Sequence, residues 1–228
     1  MEFLVASFAS ALRLIASLAP DLVDAVGTSL SVSAGATVFA TVFGIPLGLV
    51  VGLCDFPLKR AAVTILNSLI AVPTVVVGLL VYGFLSRQGP LGSLGLLFTP
   101  SAIVIGGTLL ASPIVANYAM ASARGADPRI LPTAVTLGAG PLRAAGALVA
   151  EIRFGILAAV IAGFGRVVSE VGVAMMLGGN IRGYTRTMTT AIALETSKGE
   201  FAFGMALGIV LMLVALGVNV FLSVLQRK

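Results

Sequence analysis

Four long stretches of this sequence carry no charged side chain, and they constrain the fold more than any other feature. The stretches, free of Asp, Glu, Lys and Arg, cover residues 26–54, 61–86, 88–123 and 201–226. A helix needs about 20 apolar residues to cross the hydrocarbon core of a bilayer, and each stretch is longer than that. Charged residues make up only 10% of the chain, against about 25% in soluble domains. The sequence therefore predicts an all-α polytopic membrane protein.

The apolar pattern predicts five core transmembrane helices within one membrane domain over residues 22–228. The expected spans lie near residues 26–53, 61–86, 100–123, 154–177 and 201–225. Residues 1–21 are also apolar, but Arg13 interrupts them. They form either a sixth, short span or an amphipathic helix in the membrane interface. The arginine favours the interface, because it would otherwise lie deep in lipid.

The distribution of Lys and Arg predicts the orientation of the chain. Cytoplasmic loops carry an excess of basic residues. If residues 124–153 are cytoplasmic, eight of the 14 basic residues lie inside, five lie outside, and Arg166 lies within a span. The inside set is Lys59, Arg60, Arg124, Arg129, Arg143, Arg153, Arg227 and Lys228. With five spans, this orientation places the N-terminus outside and the C-terminus in the cytoplasm.

Several function classes are disfavoured by what the sequence lacks. It has no histidine and one cysteine, Cys54, which argues against a metal site in this chain. It has no GxxxxGK[ST] phosphate loop, so any ATP hydrolysis that depends on such a loop must come from a partner chain. Basic stripes with interleaved aromatics, typical of nucleic-acid binding, are also missing. A membrane-embedded enzyme is a remote alternative, because few acids and no histidine are available for catalysis.

Residues 124–153 form the most informative segment between spans. Two short helices are predicted, at about residues 127–137 and 141–151, joined by Gly138-Ala139-Gly140. The glycines permit a sharp turn, and Pro141 suits the first turn of the second helix. Physical reasoning leaves two interpretations open: a helical hairpin that a partner protein grips, or a plain amphipathic connector.

This segment resembles the cytoplasmic "EAA" loop of type I ABC importer permeases. The resemblance rests on Ala134-x-x-x-Gly138 followed by Pro141-Leu142-Arg143, although Pro132 stands where the family has Glu. Further along, residues 163–172 resemble the pore-lining segment of molybdate and tungstate permeases, and residues 179–190 are similar to the tungstate subgroup. The resemblance implies the type I permease fold and a coupling role for Ala134, Gly138, Pro141, Leu142 and Arg143.

The same resemblance implies partners and a substrate. It implies a homodimer in the lipid of a bacterial inner membrane, two ATP-binding subunits that hold ATP and Mg, and an extracytoplasmic substrate-binding protein. No cofactor is expected in this chain. The implied activity is ATP-driven import of an oxyanion by alternating access, and tungstate is the leading candidate substrate. Molybdate, sulfate and other small solutes are the alternative substrates.

Two groups of polar residues are candidate sites. Arg166 and Glu170 stand four residues apart in an expected span, with Ser169 beside them, so both charges would share one helix face. They form either a structural ion pair or part of a pore gate.

The second group follows on the outer side, over residues 180–190. Its arginines and hydroxyls suit a tetrahedral dianion, and a helix beginning near Thr187 would add N–H donors. The candidates are Arg182, Thr185, Arg186, Thr187, Thr189 and Thr190. An ordinary solvated loop and a docking site for the binding protein are the alternatives.

Overall fold

The structure, a computed structural model, describes residues 2–226, and this part of the chain contains helices and loops but no β-strand. The helices are α1 (Glu2–Ala16), α2 (Pro20–Leu53), α3 (Lys59–Ile70), α4 (Thr74–Leu85), α5 (Pro100–Gly125), α6 (Ile130–Thr136), α7 (Pro141–Glu151), α8 (Arg153–Val168), α9 (Gly172–Gly178), α10 (Met188–Lys198) and α11 (Phe201–Gln226). Arg227 and Lys228, two of the residues expected in the cytoplasm, lie outside the described residues. The all-α polytopic fold is confirmed.

Helices α2 and α5 form the centre of the bundle and pack closely along a row of glycines. Gly44, Gly48 and Gly52 recur every four residues and face the backbone of α5. A Cβ atom added at Gly48 would lie 2.3 Å from the carbonyl oxygen of Ala116. Small residues allow such close backbone approach, which supports helix association in lipid. The sequence between these glycines contains Pro46, which α2 accommodates within its length.

The expected second span, residues 61–86, is broken into two helices. Helix α3 ends at Ile70, α4 begins at Thr74, and the two are bent by 97°. Pro73 lies in the break and precedes the first turn of α4. Proline lacks a donor N–H and disfavours helical backbone in the residue before it, which explains the interruption.

The number of spans depends on how bent helices are counted. Within residues 2–226, three helices are long and apolar enough to cross a membrane without interruption: α2, α5 and α11. The count reaches five when the bent pairs α3–α4 and α7–α8 are each taken as one span, the latter pair being bent by 73°. The chain is a multi-pass integral membrane protein.

The N-terminal helix α1 packs against α11. The rings of Phe3 and Phe201 lie 5.6 Å apart, and Ala11 is fully buried in a cluster with Ala206 and Leu207. Helix α1 has 15 residues, so it is about 22 Å long and shorter than the hydrocarbon core of about 30 Å. Its placement in the membrane interface stays a prediction.

Candidate functional site

A break in the expected fourth span forms the core of the candidate site. The prediction of one continuous helix over residues 154–177 is wrong, because α8 ends at Val168 and α9 begins at Gly172. Glu170 lies in the break. Its Oε1 atom accepts hydrogen bonds from the backbone N–H groups of Gly172, at 2.9 Å, and Val173, at 3.3 Å. The carboxylate thus binds the first turn of the next helix instead of lying on the side of a continuous one.

Arg166 and Glu170 meet across this break. Arg166 Nη1 lies 3.3 Å from Glu170 Oε2. The two therefore do not share the face of one helix, as the sequence suggested, but the chain still brings their charges together. The side chain of Arg166 is 36% exposed, whereas that of Glu170 is 7% exposed. Ser169, the third predicted gate residue, is exposed, and its hydroxyl donates to the carbonyl oxygen of Gly165 at 2.8 Å.

The break is also tied to distant parts of the chain. Thr189 Oγ1 donates to the backbone oxygen of Glu170 at 2.7 Å. Next to it, the backbone N–H of Met188 donates to Ser29 Oγ of α2 at 2.6 Å. Both contacts are buried, so the interrupted span, α2 and the start of α10 form one hydrogen-bonded junction inside the bundle.

Three of the threonines predicted to attract an anion take part in this junction. Thr187 caps α10: its hydroxyl accepts from the N–H of Thr190 at 3.3 Å, and the Thr190 hydroxyl accepts from the N–H of Thr187 at 3.0 Å. The prediction that a helix begins near Thr187 is thus confirmed. Together with Thr189, these residues are at least 95% buried. Their hydroxyls are engaged within the protein.

Thr185 is likewise fully buried and holds the turn before α10. Its hydroxyl donates to the carbonyl oxygen of Gly178 at 2.5 Å and accepts from the N–H of Ile181 at 3.0 Å. The role of the threonines in attracting an anion stays a prediction, and their capping and turn contacts give a separate reason for their presence.

The two arginines of residues 180–190 each have a carboxylate partner. Arg182 Nε donates to Asp21 Oδ1 at 2.7 Å, and this pairing raises the pKa of Arg182 above its ordinary value. Arg186 Nη1 lies 3.5 Å from Glu195 Oε1, and the same oxygen pairs with Lys198 at 3.2 Å.

These charged residues line one cleft of about 490 Å³, here called the outer cleft because the orientation expected from the sequence places it outside. Its lining residues are Asp21, Arg182, Arg186, Glu195, Lys198, Glu200 and Phe203. Three carboxylates balance three cations, so the cleft is close to neutral overall. Sequence reasoning missed Asp21 and Glu195 as partners. Asp21 stands 161 residues from Arg182, and no local pattern indicates that they meet.

The segment between α5 and α8 forms the expected helical hairpin. Helices α6 and α7 agree with the predicted helices to within three residues at each end. Gly138 has a φ of +82°, the left-handed conformation that favours glycine. Before the hairpin, Arg129 donates to Asp127, and these hydrogen bonds hold the pKa of that carboxyl below its usual value.

The tip of this hairpin is apolar and exposed. Leu142 is 90% exposed and Leu137 is 83% exposed. The predicted coupling residues Gly138, Pro141 and Arg143 are exposed around them, and Ala134 is half-buried. Sequence reasoning did not single out Leu137. A leucine next to the glycine of a turn, in a loop between membrane spans, is the signal that could have indicated an exposed contact residue. Exposed apolar side chains grouped on a loop indicate a surface for a partner.

Known proteins resemble the chain over its whole length. It is 38% identical over 230 residues to the tungstate uptake system permease protein TupB of Peptoclostridium acidaminophilum, covering 100% of both chains. It is 40% identical over 227 residues to TupB of Campylobacter jejuni, covering 100% of this chain and 95% of the relative. The chain belongs to the molybdate and tungstate permease family. No protein-family model matches it.

More distant members and solved structures agree with this family. The molybdenum transport system permease protein ModB of Escherichia coli K12 is 28% identical over 186 residues, which is 77% of this chain and 81% of ModB. The methionine ABC transporter MetNI, in inward-facing conformations, has the same fold, with a TM-score of 0.74 and 18% identity over 90% of this chain and 94% of that one. The expected type I ABC importer permease fold is therefore confirmed. Members of this family are transport components and not enzymes, and they work with ATPase and substrate-binding partners.

Proposed function

We propose that this chain is the permease subunit of a tungstate importer in a bacterial inner membrane. The observation that carries the proposal is the 38–40% identity over the full chain to two tungstate uptake permeases. The molybdenum permease of Escherichia coli, at 28% identity over 77% of this chain, is more distant. Molybdate is therefore the second candidate substrate.

The assembly proposed is a homodimer with two ATP-binding subunits, which hold ATP and Mg. One argument is the exposed apolar surface of α4, where Val75, Leu79 and Leu80 are each more than half exposed. A second argument is Arg166, whose charge is 36% exposed within the membrane domain. Charged side chains of membrane spans almost always face the bundle interior or a cavity rather than lipid. A second copy that covers these two surfaces would shield the arginine from lipid and enclose a route between the subunits.

The hairpin of α6 and α7 is proposed to dock on the ATPase from the cytoplasmic side. Its exposed leucines, Leu137 and Leu142, supply apolar contact, and Arg143 supplies a charge at the rim. In this orientation the C-terminal end of α11 is cytoplasmic, and the outer cleft faces the binding protein that delivers the anion. ATP-driven closure of the ATPase pair would move the two hairpins and switch the access of the route.

Uptake by the reconstituted complex tests the proposal. The chain is coexpressed with a candidate ATPase and a candidate oxyanion-binding protein from its own genome, purified, and reconstituted in liposomes with ATP enclosed on the ATPase side. Tungstate accumulation that needs ATP, and that unlabelled molybdate or sulfate reduces only weakly, is the expected result. Equal competition by molybdate would favour the second candidate. A purified chain that binds no ATPase, or a full complex that accumulates neither oxyanion, would contradict the proposal.

A further inference from the structure

The ion pair at the break in the fourth span is unequal, because its two members are held very differently. Glu170 is 93% buried. Its Oε1 atom is fixed by the N–H groups of Gly172 and Val173, and its backbone oxygen is fixed by the hydroxyl of Thr189. Four separate contacts, counting Arg166, therefore meet on this one residue, and its carboxylate has little freedom to move.

Arg166 is held much more loosely. Its contact with Glu170 joins one guanidinium nitrogen to one oxygen at 3.3 Å. Among the described residues, the Arg166 side chain makes no other ion pair and no hydrogen bond that meets normal geometry. A guanidinium has five N–H donors, so most of its donors are available to another acceptor.

The surface around Arg166 offers room for such an acceptor. Gly165, which precedes it, and Ser169, three residues further on, are both exposed. Neither carries a bulky side chain, and a Cβ atom added at Gly165 would meet no atom within 4 Å. The guanidinium is therefore partly exposed on the surface of this single copy, whereas the carboxylate of Glu170 is buried in the packed junction.

These differences separate the roles of the two residues. A tetrahedral oxyanion can accept two parallel N–H groups from the planar guanidinium. The single 3.3 Å contact with Glu170 does not use this two-bond geometry. A doubly charged anion also attracts the guanidinium more strongly than a single carboxylate does at the same distance. If Arg166 leaves Glu170 to contact an anion, only Arg166 needs to move, since Glu170 can stay bound to the first turn of α9.

We infer that Arg166 is the residue of this chain that contacts the oxyanion within the membrane, exchanging its contact with Glu170 for one with the anion. Glu170 is a positioning residue: it keeps α9 in place and holds Arg166 while no anion is bound. The inference rests on the proposed function, since it names the anion-contacting group of the proposed route.

Chemical restoration of the charge provides the test. Cys54 is the only cysteine of the chain and is exposed, so Cys54→Ser gives a parent without thiols. Arg166→Cys is added to this parent. The purified complex is treated with a methanethiosulfonate reagent that attaches an aminoethyl, a methyl or a sulfonatoethyl group, and it is then reconstituted for tungstate uptake.

We expect Arg166→Cys to lower uptake at least about tenfold, the scale of losing one charge-assisted contact. The aminoethyl group, which restores a positive charge, should recover a substantial part of the uptake. The neutral methyl group and the negative sulfonatoethyl group should recover none. The parent complex receives the same three treatments, which controls for cysteines of the partner subunits.

Two results would overturn the inference: uptake by Arg166→Cys equal to that of the parent, or recovery by the methyl group as complete as by the aminoethyl group. The second result would mean that the side chain only fills space. A parent that transports no oxyanion at all would instead contradict the proposed function, so the two failures are distinguishable. Thermal stability of each treated sample shows whether a loss of uptake reflects unfolding.

Discussion

The glycine row between α2 and α5 makes a quantitative prediction about stability. An alanine at position 48 would place its methyl carbon 2.3 Å from the carbonyl oxygen of Ala116 and 2.8 Å from the Cβ atom of Ala119. Close carbon–oxygen contacts in proteins lie at about 3.3–3.6 Å. Because the obstructing atoms belong to backbone and to a Cβ, no side-chain rotation relieves the clash, and the two helices must separate by roughly 1 Å.

The size of the effect follows from a comparison within the same helix. Overpacking a tight interior costs about 1–3 kcal/mol, while Gly to Ala in a helix gains up to about 1 kcal/mol from propensity. Gly27 is the matched control, since it lies on α2 and a Cβ there would meet nothing within 4 Å. The propensity gain is common to Gly48→Ala and Gly27→Ala. The difference between the two variants therefore isolates the packing cost of about 1–3 kcal/mol.

Thermal stability in detergent measures this difference. For a chain of this size 1 kcal/mol corresponds to roughly 2–4 °C in Tm, so Gly48→Ala should melt about 2–12 °C below Gly27→Ala. The chain has no tryptophan, and the fraction that stays monodisperse after heating, followed by size-exclusion chromatography, is a suitable signal. A Tm of Gly48→Ala equal to or above that of Gly27→Ala would refute the close packing of α2 on α5.

Three further predictions concern the hairpin, the capped break and the outer cleft. Gly138→Val should weaken ATPase binding and uptake while the protein still inserts, because a β-branched residue is strained at a φ of +82°. Copurification with the ATPase is the measurement, and Gly146→Val, in the middle of α7, is the control. Glu170→Ala should lower Tm more than Glu170→Gln does, by the equivalent of about 1 kcal/mol, since glutamine keeps an oxygen for the first turn of α9; equal losses would deny the capping role. Asp21→Asn removes the negative charge that faces Arg182, so tungstate uptake should rise at low salt. This gain should disappear near 0.15 M salt, where screening acts over about 8 Å. A variant whose uptake equals that of the unchanged protein at both salt concentrations would show that Arg182 serves only its ion pair with Asp21.

Local chemistry determined which elements could be predicted from the sequence. The hairpin of α6 and α7 was expected nearly at its observed bounds, because a glycine turn and a proline at the first helical position act on their immediate neighbours. The start of α10 was expected for a similar reason, since Thr187 is a capping residue followed by helix-forming residues. Long apolar runs predicted α5 and α11 to within two residues at each end, whereas α2 begins at Pro20, six residues before its expected start.

Long-range contacts determined what could not be predicted. The end of α8 depends on Glu170, whose carboxylate binds the following turn and whose backbone oxygen binds Thr189, 19 residues further on. An apolar pattern treats such a stretch as one helix. The partner of Arg182 is Asp21, at the other end of the chain, so charge patterning alone made the outer cleft look more basic than it is.

The direct junction of α7 with α8 has a mechanical consequence. Only Ile152 separates the two helices, which meet at 73°, so they act as an angled lever with α7, in the hairpin, as one arm and α8 as the inner arm. Arg166 lies 13 residues along the inner arm, about 20 Å from the pivot. A rotation of about 10° at the pivot would carry the guanidinium roughly 3.5 Å along this arc. Glu170 is held by Gly172, Val173 and Thr189, so a shift of this size in α8 alone would lengthen the 3.3 Å contact between Arg166 Nη1 and Glu170 Oε2.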